Sequence, residues 1–226
     1  MKNILLSAAL ALGLTSGLFA DSFTISSVNG GAATGSPKLN LDNLTLGNSA
    51  QQVDSVVSIS FTGDGGVVKG AASGLYAAPF VSGSNGVGFG GPDQLNGADD
   101  TKYVSTGIGS IVFNFSLPQT YFGLLWGSVD NYNTLSFYNG GSLVGSFTGL
   151  DVWANANGNQ GAQGTFYVNF QDTNGTFNKV VASSTQYAFE IDNIAYKGVQ
   201  QVPESGTTIA FLGLALSGLA LWRRRR

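Results

Sequence analysis

Four carboxylates, Asp130, Asp151, Glu190 and Asp192, are candidates for acid–base chemistry as a pair. Two carboxyls at a set separation are all that a glycoside-cleaving pair requires. The abundance of Asp in turns accounts for the same residues without any catalysis. The chain holds no histidine and no cysteine. Ser-His-Asp and Cys-His nucleophiles are therefore impossible, as are zinc sites built from those ligands. We expect a protein that is not an enzyme.

A cation is the one cofactor the sequence could accommodate. Asp151 precedes the stretch Asn155-Ala156-Asn157-Gly158-Asn159, which spaces oxygen side chains at alternate positions around a turn. Calcium prefers such hard oxygen ligands. The neutral amides supply little charge, however, and ordinary turn chemistry explains the same pattern. Glu190 and Asp192 are a second candidate cation pair on the last strand. They are expected on the solvent face of a half-buried strand. For carbohydrate binding, Tyr132 and Trp153 sit in loop-like stretches with Asn155 and Asn157 nearby. An aromatic face beside amide hydrogen bonds suits a sugar. The alternative is that both rings merely cover the ends of the core.

The elements that must position these residues are strands. Gly reaches 33 copies in 226 residues, charged residues are 10% of the chain, and Ser, Thr, Asn, Val and aromatics dominate the rest. That balance suits strands and turns. Period-two alternation marks Ser22 to Val28, Val53 to Phe61 and Ile108 to Phe115, the signature of half-buried strands. Leu117-Pro118 is expected to end the third of these runs before a nearly all-apolar central strand, Tyr121 to Trp126. Leu135 to Tyr138 and Leu143 to Phe147 form a hairpin through Asn139-Gly140-Gly141. Thr165 to Phe170, Phe177 to Val181 and Tyr187 to Tyr196 complete the set. In the last run Tyr187, Phe189 and Ile191 share one parity while Ile194 and Tyr196 share the other. A bulge near Asp192-Asn193 reconciles them. Gly63 to Thr106 is dense in Gly, Ser, Asn and Asp and is expected to form long surface loops with one or two short strands. The expected fold is all-β, an antiparallel β-sandwich or jelly roll over residues 21–201.

Both ends look like targeting segments. Lys2 opens a short basic start, Ile4 to Leu14 is apolar, and Leu18-Phe19-Ala20 precedes the polar Asp21. We read residues 1–20 as a signal peptide cut after Ala20. At the other end Val202-Pro203-Glu204-Ser205-Gly206 is followed by an apolar stretch, 207–222, and by Arg223, Arg224, Arg225 and Arg226. Sixteen helical residues span about 24 Å, near the lower limit for a bilayer. The arginines would act as a cytoplasmic stop. Between Asp21 and Val202 there are five Lys against twelve carboxylates, an acidic balance that argues against nucleic acid as a partner.

The order of motif, short apolar helix and Arg cluster in residues 202–226 resembles the PEP-CTERM sorting signals of Gram-negative bacteria, most closely the Val-Pro-Asp-Ser-Gly variant. Glu204 stands where that variant has Asp, keeping the charge on a longer side chain. The resemblance implies an exported protein that is anchored in the inner membrane, processed by exosortase, and then released to the cell surface or extracellular matrix. Exosortases are associated with exopolysaccharide, which is thereby a candidate partner. A second likeness lies in Tyr121 to Asp130, Tyr132 to Leu135 and Phe189 to Tyr196, which look like a family of exosortase-dependent surface proteins. It implies location and architecture and supplies no chemistry.

Overall fold

A computed structural model describes residues 22–28, 31–82, 84–91 and 95–199. The signal segment with Ala20, the sorting motif, the expected membrane helix 207–222 and the arginines lie outside the described residues. Among the described residues no helix is long and apolar enough to cross a membrane.

The fold is organised around one strand. β9 runs for 19 residues, Gly109–Gly127. Its first half, Gly109 to Phe115, pairs with β4 (Val57–Gly63) on one side and β13 (Phe177–Ser184) on the other. Its second half, from Gln119 to Gly127, pairs instead with β12 (Phe166–Asp172) and β14 (Phe189–Gly198). All of these pairings are antiparallel. The first layer continues outward through β10 (Asn133–Asn139) and β11 (Ser142–Thr148) beyond β13, and through β3 (Gln51–Gln52) beyond β4. The second adds β1 (Phe23–Val28) to β12. On its other side it adds β2 (Lys38–Leu39) and β8 (Lys102–Thr106) to β14, with β5 (Gly66–Lys69) beyond β8.

Leu117-Pro118 therefore does not end a strand, as the sequence suggested. Ser116, Leu117 and Pro118 are exposed and form the corner at which β9 passes from one layer to the other. There the register with β13 slips: Lys179 faces Asn114 but Phe177 faces Gln119. Pro118 lacks a donor, and such a corner is where a strand tolerates that loss. The slip also reverses side-chain parity. Ile111, Phe113 and Phe115 point into the core before the corner, and Phe122, Leu124 and Trp126 after it.

The two layers bury an aromatic core between them. Phe113 and Phe115 lie 5.4 and 6.0 Å from Phe122, and Phe137 of β10 lies 5.2 Å from Phe170 of β12. Centroid separations of this size are typical of stabilising edge and tilted pairs. The hairpin is as expected. Asn139 faces Ser142 across Gly140-Gly141, and Gly140 takes the positive φ of 59° that the turn requires.

The bulge in β14 is also present. The register shifts between Asp192 and Ala195, Asn193 has φ 50°, and Phe189, Ile191, Ile194 and Tyr196 all reach the core. Tyr187, assigned from sequence to this strand, precedes it and is exposed. The Gly-rich segment differs more. It contains β5 and β8, together with a small ribbon of β6 (Phe80–Val81) and β7 (Gly97–Ala98). It lies over the outer face of the second layer, where Val81 and Phe89 join Tyr121, Leu125, Tyr167 and Ala195 in a smaller buried cluster. The second half of β9 is consequently buried on both faces.

Phe137 touches rings from β1, β9, β11, β12 and β13 and is fully buried. Phe137→Ala should cost about 3–5 kcal/mol, read as a lowered midpoint in chemical denaturation. A loss below about 1 kcal/mol would mean that the layers do not pack as described.

Candidate functional site

At one end of the sandwich a cleft of about 430 Å³ opens between the loop at residues 71–77, the segment after β9 and the segment before β14. Its floor is acidic. Glu190, the second residue of β14, is 2% exposed, and Asp130, three residues past the end of β9, is equally buried. Both line the cleft, so the fold gathers two of the four carboxylates singled out from sequence.

Glu190 is held by groups distant in sequence and Asp130 by a local turn. The Ala77 amide donates to Glu190 Oε1 at 2.9 Å, and the Ser128 hydroxyl donates to Oε2. Ser128 adopts φ 39° immediately after β9, which turns its side chain onto the carboxylate. Asp130 Oδ1 accepts the Tyr132 amide at 3.3 Å, an Asx-type turn. Gly149 packs against the Asp130 carbonyl so closely that an added Cβ would lie 1.9 Å from its oxygen. Among the described residues the cleft lining contains no lysine or arginine.

Burial without a countercharge shifts both acids upward. The Glu190 carboxyl is pushed from an ordinary 4.5 to about 7 by burial, against the pull of hydrogen bonds from Ser128 and Ala77 and with a contribution from the Asp130 charge. The Asp130 carboxyl rises from 3.8 to about 6, again through burial. Behind them the buried Tyr103 phenol is raised by burial and by the charges of Glu190, Asp99 and Asp192. Its hydroxyl donates to the Gly70 carbonyl.

The rim is aromatic. Tyr132 donates from its hydroxyl to the Tyr187 carbonyl at 2.9 Å. Tyr187 in turn donates to Asp64 Oδ2 at 2.5 Å. The Tyr187 ring lies where a side chain on residue 107 would be, 2.1 Å from an added Cβ, so Gly107 is required there. Tyr76 stands edge-on to Tyr103 at 6.3 Å.

The remaining candidates are distributed elsewhere. Glu190 and Asp192 are not on a solvent face, which corrects the expectation. Both are fully or almost fully buried, because the Gly-rich segment covers that side of the layer. Asp192 is outside the cleft lining, opposite Leu125 in the ladder. Asp151 is spent on capping. It is the third residue of the single-turn α1 (Gly149–Val152), and its Oδ2 accepts from the Thr148 amide and hydroxyl at 2.7 and 3.0 Å. Asn157 accepts the Asn159 amide at 3.2 Å, and Asn155 is exposed. The Asp151–Asn157 stretch is thus organised as a cap and a turn. Among the described residues no three Asp, Glu, His or Cys are grouped to hold a metal.

Trp153 does not accompany Tyr132. It packs 5.5 Å from Phe166 as a partial cover on the core, while Gly158 and Gln160 are the residues of its loop that reach the cleft. Ser128, Tyr76, Tyr187 and Gln160 were not legible as site residues. The isolated Leu75-Tyr76 in a Gly-rich run was the one signal available.

The site occupies the domain, whereas the recognisable motif occupies the tail. Residues 201–226 match the VPDSG-CTERM motif. The tail is therefore a PEP-CTERM-like sorting signal, and the Glu204 variation lies within the match. The motif implies export, anchoring at the C-terminus and processing by exosortase. No curated protein and no solved structure matches the chain.

The raised carboxyls fix a pH response. In the unfolded chain both acids ionise near their ordinary values, whereas the folded state retains the protons up to about pH 6 for Asp130 and about pH 7 for Glu190. Their contribution to stability is complete below about pH 4 and is lost as pH rises through those folded values. The stability of Glu190→Gln should fall less than that of the wild type between pH 4.5 and 7.5, measured by urea denaturation across that range. Identical pH slopes in the two proteins would show that Glu190 is not proton-linked to folding.

Proposed function

We propose that the protein is a non-catalytic component of the cell surface or extracellular matrix of a Gram-negative bacterium. It is exported through the signal at residues 1–20, held by its C-terminal segment and processed near Pro203. The observation that carries this reading is the sorting motif at 201–226 placed directly behind a strand-built domain. The absence of histidine and cysteine supports a structural or adhesive role. So does the use of both Glu190 oxygens as acceptors within the fold.

A second reading, a lectin-like module that binds exopolysaccharide, is favoured by the cleft, where tyrosines surround buried acceptors. This reading is compatible with the first, because a matrix protein can anchor itself by holding a polymer. It adds the requirement of a specific sugar.

Intact-mass analysis of the protein from its native host tests the first reading. The normal host should yield a chain that starts at Asp21 and lacks the residues beyond the Pro203 region. The same host without exosortase should yield a chain that keeps its tail. A full-length tail in both strains would overturn sorting. Release of reducing sugar from the host matrix by the wild type, abolished in Glu190→Gln, would overturn the non-catalytic assignment.

A further inference from the structure

The cleft carries more information than its aromatic rim alone. Asp130 is 2% exposed, and its Oδ2 has no donor in good hydrogen-bond geometry, although the Tyr132 hydroxyl is close enough to favour its ionised form. The neighbouring Tyr132 hydroxyl donates to the Tyr187 carbonyl instead. A buried acceptor without a donor costs free energy that the fold must carry. A ligand hydroxyl would relieve that cost only if it reached Oδ2 past the Tyr132 side chain, since the atom itself is closed to solvent.

The other features of the cleft narrow the ligand. With two carboxylates and, among the described residues, no basic side chain in the lining, the cleft disfavours an anionic ligand. Among the described residues no three Asp, Glu, His or Cys are grouped to hold a metal ion. Near neutral pH burial keeps part of the Glu190 population protonated, so that carboxyl can donate as well as accept. Hydroxyl groups, which also do both, are its natural complement.

Three tyrosines line the cleft, and they are held in place before any ligand arrives. Tyr132 is tied to the Tyr187 backbone, Tyr187 to Asp64 and to the backbone at Gly107, and Tyr76 rests edge-on against Tyr103. Such fixed groups lose little freedom on binding. The volume of about 430 Å³ lies within the range of ordinary small-ligand sites.

We infer that this cleft, with Asp130 and Glu190 as its floor and Tyr76, Tyr132 and Tyr187 as its rim, binds an uncharged saccharide segment of a glycan. The inference rests on the carbohydrate-binding reading above and assigns that reading a site distinct from Trp153.

The test is a binding assay of the protein purified from its native host against an array of neutral oligosaccharides, with polyuronates on the same array and with EDTA in a parallel run. At least one neutral oligosaccharide should bind, with or without EDTA. Tyr132→Ala and Gln160→Ala, both changes at the rim, should weaken that binding at least tenfold while thermal melts stay close to wild type. Asp130→Asn should weaken it as well, and Trp153→Ala should not. Binding that survives both rim variants but is lost in Trp153→Ala would overturn the cleft assignment and leave carbohydrate binding standing. Silence across the array would overturn both. Preference for polyuronates, or loss of binding in EDTA, would overturn the uncharged, metal-free character of the site. None of these outcomes bears on processing of the tail, which the mass measurement decides separately.

Discussion

β9 changes its inward-facing parity where it crosses between the two layers, and the rest of the fold depends on it doing so. Had the register continued evenly past Ser116, the aromatic side that Phe113 and Phe115 present to the core would have been continued by Tyr121, Gly123 and Leu125 instead of Phe122, Leu124 and Trp126. The slip opposite Phe177 and Lys179 corrects this. β14 performs the same correction at Asp192-Asn193, where Asn193 accepts a positive φ that β-branched residues resist. These two irregularities, on adjacent strands, let one continuous ladder enclose a single aromatic core.

The corner and the bulge also explain why the acids lie where they do. β9 ends at Gly127, so Ser128 and Asp130 emerge at the end of the second layer, beside the start of β14 and Glu190. The Gly-rich segment then closes over the outer face and brings the Ala77 amide to Glu190. A region that is acidic overall, with only five lysines among the exported residues, has few countercharges for its buried carboxyls. Backbone amides, hydroxyls and retained protons take their place.

Strand identities were legible in the sequence because apolar alternation is a local property. The hairpin at Gly140-Gly141 and the bulge at Asp192-Asn193 could be placed for the same reason: turn residues and a parity break are visible within a few positions. The corner at Pro118 was misread because a proline after an alternating run has the same local appearance whether the chain stops or bends. The burial of Glu190 and Asp192 was also misread. It depends on cover from residues about a hundred positions earlier, in a segment whose few apolar residues are too scattered to register as a layer. Tyr132 and Glu190 could be named singly, but their meeting with Asp130 in one cleft is a product of tertiary folding. The tail was legible outright, since a sorting signal is read as linear sequence.

The direction of β14 has a geometric consequence. Glu190 lies near its start and Gly198 at its end, with Lys197 paired to Tyr121 close to the corner of β9. At about 3.3 Å per residue, the cleft and the point where the chain leaves toward its tail are separated by roughly 26 Å, nearly the length of the strand. A chain held by its C-terminus would thus be gripped at the pole opposite its cleft. The cleft and the join to the tail therefore use opposite ends of one strand.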